Sequence, residues 1–437
     1  MIKYSKIVKY KLISIIKEMG ESPELFVKNP GKDFTRNRKL TFEYVINLLL
    51  SMGGNSIYKE LLEYFKYDTK TATSSAFVQQ RGKILPSALE YLFKEFTNSF
   101  DNYKTFNGYR LLAADGSKLN IFHNPEDADT YTKCKDNAKG FNLIHLNALF
   151  DLCNKVYTDA YIQPIRNVNE NSALTDMVDR STISGDVIVI ADRGYESYNT
   201  FAHIQEKGWK YVIRVRDIDS TGMASSFKLH SCEVFDKKID LKLTRRQTNE
   251  IKANPEIYKF MPKRSNFDYL EFKSHNFYPI SFRVVRFKIS DNAYETIITN
   301  LDANEFSIDK IKELYHMRWG IETSFRELKY TIGLINFHSK KVEYIVQEVF
   351  AKLTMYNFCE IITLNVVITY KQRKHEYQVN FTVAIHICRY FFRYSDDVNP
   401  PDVEALIQKN ILPIRKNRNN QRKLRTKSSV SFIYRVA

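Results

Sequence analysis

DVIVIADRGY, residues 186–195, is a short run of apolar residues that stops at an Asp-Arg-Gly sequence. A β-branched run of this length, bounded by turn residues, reads as a buried strand rather than a helix. Upstream, YRLLAADGSKL at 109–119 repeats the grammar, with an apolar strand expected to stop at Asp115 and Gly116. Strand ends place side chains at the rim of a cleft without long flexible loops. Taken singly, Asp115 and Asp192 read as caps or solvent-facing acids, with Gly116 and Gly194 permitting sharp turns after them. Arg193 reaches phosphate or pairs with a local acid, and Tyr195 packs under its loop or touches a nucleotide.

Working outward, FNLIHLNALF (141–150) and KVYTDAYIQP (155–164) read as antiparallel strands joined through Asp151 to Asn154. Residues 171–180 have helical character with Ala173, Leu174 and Met177 on the apolar side, and Asn171 caps that helix or projects into the cleft with Glu170. A helix over 198–207 and a strand at WKYVIRV (209–215) complete the series. Three strands, a helix, a strand, a helix and a strand make an α/β fold with a mixed sheet. From about 216 to 292 the helical period is poor, and KIDLKLT (238–244) and ISFRVVRFKI (280–289) mark a β-rich insertion carrying Lys237, Lys238, Lys242, Arg245 and Arg246. YETIITNL (294–301) returns to the sheet or closes the insertion.

Helix then resumes in FSIDKIKELYHMRWGIETSFRELKY, residues 306–330, with Ser307 as N-cap. No proline interrupts it through Lys329, so one long helix is expected despite Gly320. At 100 degrees per residue Tyr315, Arg318, Glu322 and Lys329 share an arc of about 60 degrees, with Arg326 close beside it. One carboxylate among cations is either a salt-bridge ladder or a metal ligand flanked by groups that neutralise phosphate. Trp319 and Phe325 support this helix or cover a base, and packing is the expectation for Trp319. Asp115, Asp192 and Glu322 together suit Mg2+ or Mn2+, hard ions that favour oxygen ligands. Two such ions about 4 Å apart serve an in-line phosphoryl displacement with no general-base histidine.

The chain's 66 Lys and Arg against 50 Asp and Glu leave a net charge of +16, which favours a polyanionic partner. Five scattered cysteines, Cys134, Cys153, Cys232, Cys359 and Cys388, suggest reduced thiols in a cytosolic compartment. No apolar run reaches the roughly 20 residues of a spanning helix, so no membrane partner is expected. The first 100 residues read as helical. Leu12, Ile15 and Ile16 form one apolar face, and Phe42, Val45, Ile46, Leu49 and Leu50 form another. Between them GKDFTRNRKL carries Lys32, Arg36, Arg38 and Lys39. Two short helices further on either offer Gln79, Gln80, Arg81 and Lys83 to a major groove or belong to a plain helical packing domain with a solvated basic face. At the other end, residues 409–427 hold eight Lys or Arg and no acid, including Arg415, Lys416 and Arg418, and read as a solvated tail or a phosphate-backbone contact.

In YHMRWGIETSFRELK, residues 315–329, Tyr315, Arg318, Glu322 and Lys329 are separated by two, three and six residues. This spacing, downstream of LLAADGS and VIVIADRGY, resembles the insertion-sequence transposases that carry a DDE triad and a Tyr-Arg-Glu-Lys signature. The resemblance covers about residues 105–370. It implies a ribonuclease-H-like mixed-sheet core, with Asp115, Asp192 and Glu322 as catalytic ligands of two Mg2+ or Mn2+ ions. It also implies cut-and-paste transposition: nicking at the element end, attack by the new 3′ hydroxyl through a hairpin where that route is used, and joining to target DNA.

The partners implied are double-stranded DNA, with terminal inverted repeats and target, and a second protomer in a homodimeric synaptic complex, in the prokaryotic cytosol at the nucleoid. Tyr315, Arg318 and Lys329 would contact the transposon end, with Arg326 and Arg193 adding phosphate contacts. The corresponding division is a helical end-binding region (1–104), the first part of the core (105–216), the insertion (217–292), completion of the core (293–370) and a basic C-terminal region for DNA contact or dimerisation (371–437). Two rivals share the same acids: a metal-dependent nuclease that does not join ends, and an inactive DNA-binding descendant.

Overall fold

The computed structural model describes residues 3–36, 38–133, 140–227, 229, 233–290, 293–366, 377–393 and 400–414. Arg415, Lys416 and Arg418 lie outside them. The chain opens with helices α1 (Tyr4–Glu21), α2 (Phe42–Ser51), α3 (Ile57–Tyr64), α4 (Ser74–Arg81) and α5 (Pro86–Asn98). Leu12 and Ile16 of α1 and the whole Phe42, Val45, Ile46, Leu49, Leu50 stripe of α2 are buried, as their helical spacing predicts. Thr41 and Thr73 cap α2 and α4 by accepting from backbone amides three residues on.

Strands follow in the order β1 (Arg110–Ile121), β2 (Tyr131–Thr132), β3 (Phe141–Asp151) and β4 (Val156–Pro164). Helix α6 (Glu170–Asp179), β5 (Val187–Ala191), α7 (Tyr198–Glu206) and β6 (Lys210–Val215) come next. Across the sheet β4, β3, β1, β5 and β6 are neighbours in that order. The first three are antiparallel, and β5 and β6 run parallel to β1. Three antiparallel strands continued by two parallel ones form the ribonuclease-H-like core. The wholly apolar run of β5 is buried at every position, which suits a strand covered on both faces.

The insertion does not form a separate body. It supplies β7 (Phe235–Thr244), the short helix α8 (Asn249–Ala253), β8 (Tyr258–Phe260) and β9 (Phe277–Ser290). β10 (Ala293–Thr299) then pairs with both β6 and β9, so the insertion's strands extend the core into a ten-stranded sheet among the described residues. Arg283 and Arg286 of β9 stay buried because Asp236 and Asp217 receive them.

The remaining helices are α9 (Ile308–Met317), α10 (Trp319–Arg326), α11 (Val342–Leu364), α12 (Phe381–Arg393) and α13 (Val403–Lys409), with a two-stranded ribbon of β11 (Tyr377–Val379) and β12 (Ile411–Pro413). Helix α11 is buried along nearly its whole length between α1, α2, α5, α12 and β4. The N-terminal helices, one face of β1, β3 and β4, α10, α11 and α12 therefore share one apolar core. No helix among the described residues is long and apolar enough to cross a membrane.

Three local expectations are corrected. β1 does not stop at Asp115 but runs on to Ile121, because β3 pairs with it throughout, Asp115 opposite Ala148. The long helix is realised as α9 and α10, tightened at Arg318 by i to i−3 bonds, then widened into a π turn over Glu327–Thr331. Helix α4 cannot offer Arg81 to a groove: Arg81 is 1% exposed and paired with Glu348 of α11, and Gln80 is buried beside it.

Candidate active site

The strand register brings the two aspartates together. Ala114 of β1 is paired with Ala191 at the end of β5, so Asp115 and Asp192 are the next residues on adjacent parallel strands, whose spacing is about 4.8 Å. Side chains alternate along a strand, and Ala113, Leu119 and Ile121 pack in the core shared with Ile321 and Phe325 of α10. Asp115 has their parity and therefore belongs to the face that α10 covers.

Helix α10 can lie close because Gly320 has no side chain: a Cβ there would stand 2.8 Å from Leu152 Cδ2, just beyond β3. Tyr157 of β4 fixes the helix further on, through a 2.8 Å hydrogen bond between its hydroxyl and Ser324 Oγ and by packing against Phe325. This docking carries Glu322 to the sheet.

Burial pushes the Asp115 carboxyl up to about 6, opposed by the Gly116 amide and Arg318 and reinforced by the negative charges of Asp192 and Glu322. Asp115 accepts from the Gly116 amide at 2.8 Å, and Asp192 accepts from the Gly194 amide at 2.8 Å. Arg318 Nη2 donates to Glu322 Oε1 at 2.9 Å while its guanidinium lies over the rings of Tyr315 and Trp319.

A carboxyl whose ionisation is opposed by burial and by two neighbouring carboxylates offers the oxygen chemistry that a hard divalent cation favours. Among the described residues no group of three or more His, Cys, Asp or Glu side chains is placed to hold a metal ion. Arg318 supplies the positive charge that Glu322 faces.

The other candidate residues divide between this cleft and the periphery. Tyr315 and Arg318 are buried at 3% and 5% exposure, with Tyr315 near Arg214. Arg326 is exposed on α10, and Lys329 donates to the Lys118 carbonyl of β1 at 2.9 Å. The π turn shifts Lys329 off the 100-degree wheel that placed it in line with Glu322. Trp319, expected to pack, is half exposed, whereas Phe325 is buried against Tyr157 and supports the helix.

Arg193 is exposed and lines a cavity of about 590 Å³ with Arg214 and Arg216 at the ends of β5 and β6. Lys32, Arg36 and Arg38 line a second basic cavity of about 410 Å³ with Lys83, remote in sequence from the acids, while Lys39 donates to the Lys70 carbonyl.

Sequence reasoning missed Arg214 and Arg216. Their signal was the strand ending WKYVIRV-Arg216 beside the Asp192 strand. It also misjudged the start of α6, where Asn169, not Asn171, is the cap. Asn171 instead donates to the Gly194 carbonyl and accepts from Thr200. Gly116 is no turn glycine. A Cβ on it would lie 2.2 Å from His145 Nε2 and 2.9 Å from Glu170 Oε1, so its hydrogen makes room for those side chains.

Residues 106–358 match the family model described as the transposase DDE domain, more than half of the chain. The chain belongs to this family of DNA-processing enzymes. A solved structure described as piggyBac transposase in a synaptic complex with hairpin DNA is similar at 10% identity, over 93% of this chain and 84% of that one, with a TM-score of 0.49. No curated protein matches the chain.

Proposed function

We propose that this transposase cuts DNA at the ends of an insertion sequence and joins those ends to target DNA, with Asp115, Asp192 and Glu322 as its catalytic acids. The observation that carries the reading is the register that sets Asp115 beside Asp192 under the helix bearing Glu322. These residues would hold two Mg2+ or Mn2+ ions, which when bound supply activation of water or a 3′ hydroxyl and stabilisation of the leaving oxygen. Asp115 and Asp192 would present oxygens from a rigid sheet and Glu322 from a docked helix, which limits how far the three must move to close on a cation.

Arg193, with Arg214 and Arg216 beside it, would neutralise phosphates along the cleft, and Arg326 would do so on the helix side. Arg318 would hold Glu322 in place and turn toward phosphate, above Tyr315, when the cation takes its role. Lys329 would brace the end of β1. The N-terminal cavity of Lys32, Arg36 and Arg38 suits backbone contact with a terminal inverted repeat, and two protomers would pair the ends.

The test incubates purified wild type and Glu322→Gln with Mg2+, DNA carrying the gene's own flanking ends, and a target plasmid. Excised ends joined to the plasmid by wild type and not by the variant are expected. Cleavage without joining would favour a nuclease. Tight binding without cleavage, with metal present, would favour an inactive descendant.

A further inference from the structure

The three-acid reading leaves one carboxylate beside both aspartates without a task. Glu170, the first residue of α6, lies on the face of the sheet opposite α10. Gly116 shares parity with Leu112 and Ala114, which pack with Leu174, Met177 and Val178 of α6. The last β5 partner of β1 is at Ala114, so from Asp115 onward β1 has no β5 neighbour and Glu170 can reach its edge.

The two oxygens of Glu170 go to two places. Oε1 stands 3.0 Å from His145 Nε2 and would be 2.9 Å from a Cβ on Gly116. Oε2 would be 3.3 Å from a Cβ on Gly194. These are the two glycines whose amides hold Asp115 and Asp192. His145 on β3 is 3% exposed and neither of its ring nitrogens makes a hydrogen bond among the described residues, so the 3.0 Å approach of Glu170 to Nε2 is a contact of position and charge against a buried ring. Asn171, the next residue, ties the same helix end to the Gly194 carbonyl.

We propose that Glu170, seated on buried His145, is a positioning residue that braces Gly116 and Gly194 and so sets the separation of Asp115 and Asp192. It acts through these neighbours and touches no reacting atom. The inference rests on the three-acid reading. Partners of this kind, one step removed from the ligands, alter metal affinity by about 10- to 100-fold when lost.

The test uses the full chain. Mn2+ binding is followed by the electron paramagnetic resonance of the free ion without DNA, for wild type, Glu170→Gln and Asp192→Asn, with thermal unfolding in chelator as control. Glu170→Gln is expected to unfold with wild type and to bind Mn2+ about 10- to 100-fold more weakly. In the cleavage assay kcat should fall while KM for end DNA is unchanged. Mn2+ affinity equal to wild type would overturn the proposal, and so would a loss of affinity accompanied by an equal loss of thermal stability. If Asp192→Asn weakens Mn2+ binding and Glu170→Gln does not, the bracing fails and the three-acid site stands. If Asp192→Asn binds like wild type, the three-acid site itself fails and takes the bracing with it.

Discussion

Glu348 in the helical base and Asp115 at the sheet cleft lose water to different extents and respond in opposite ways. In the helical base, burial works against the charge of Glu348, but Arg81 at 2.9 Å and hydrogen bonds from His338 hold its carboxyl down at about 2. Glu60 nearby is bonded by the Asn55 amide and paired with Arg393. At the sheet cleft partial burial leaves Asp115 raised to about 6, with two more carboxylates beside it and one arginine already engaged by Glu322. Charge that is matched within the fold serves the fold. Charge left unmatched in a cleft marks a candidate site.

Removing an acid from the cleft should break that contrast most plainly. Glu322→Gln is expected to lower DNA cleavage on the order of 10³-fold or more, the scale for a group that acts as a unit, with thermal unfolding unchanged. Equal activity would return Glu322 to the role of a salt-bridge partner. In the base the effects should reverse. Arg81→Met leaves Glu348 buried without its cation and should cost about 3–5 kcal/mol of stability, read by denaturant unfolding, while the folded fraction still cleaves DNA. An unfolding midpoint equal to wild type would show that the pair does not hold α4 to α11.

Smaller effects sharpen the comparison. Trp319 is half exposed beside the cleft, and Trp319→Ala should leave unfolding unchanged and weaken end-DNA binding about fivefold, the low end of base-aromatic stacking. Unchanged binding in a titration would make it a surface residue. Lys352 is where the base is least well matched: burial first, then Arg389, pushes its amine down to about 7 despite Glu348 and Glu60. The unfolded chain holds that proton up to its ordinary value near 10.5, so across pH 7 to 10.5 the folded state binds fewer protons and stability rises with pH. Lys352→Met removes this contribution. Its melting temperature should therefore gain least from a change of pH 6 to pH 9, and an equal gain in both proteins would sink the assignment.

The strands at 141–150, 155–164, 187–191 and 210–215 were legible because hydrophobic runs and turns are local signals. The Ser307 cap and the end of β5 before Asp192 were legible for the same reason. The end of β1 was not. Asp115-Gly116 has the composition of a turn, yet β3 supplies a partner for every residue past it, and pairing outweighs local preference. The helical wheel did not foresee the π turn at Lys329, whose extra residue no propensity marks. Arg81 read as a surface cation because its counter-charge, Glu348, lies 267 positions away.

By itself the sequence determined which residues are candidates for the chemistry and in what order: an acid in each of two strand motifs, a third on a late helix, and an excess of positive charge along the chain. Only the tertiary structure decided how they meet. Parallel register between β1 and β5 aligns Asp115 with Asp192, and Gly320 lets α10 approach. Gly116 gives Glu170 and His145 their space. Each of these is a contact between segments far apart in the chain, and side-chain periodicity carries no information about distance across it.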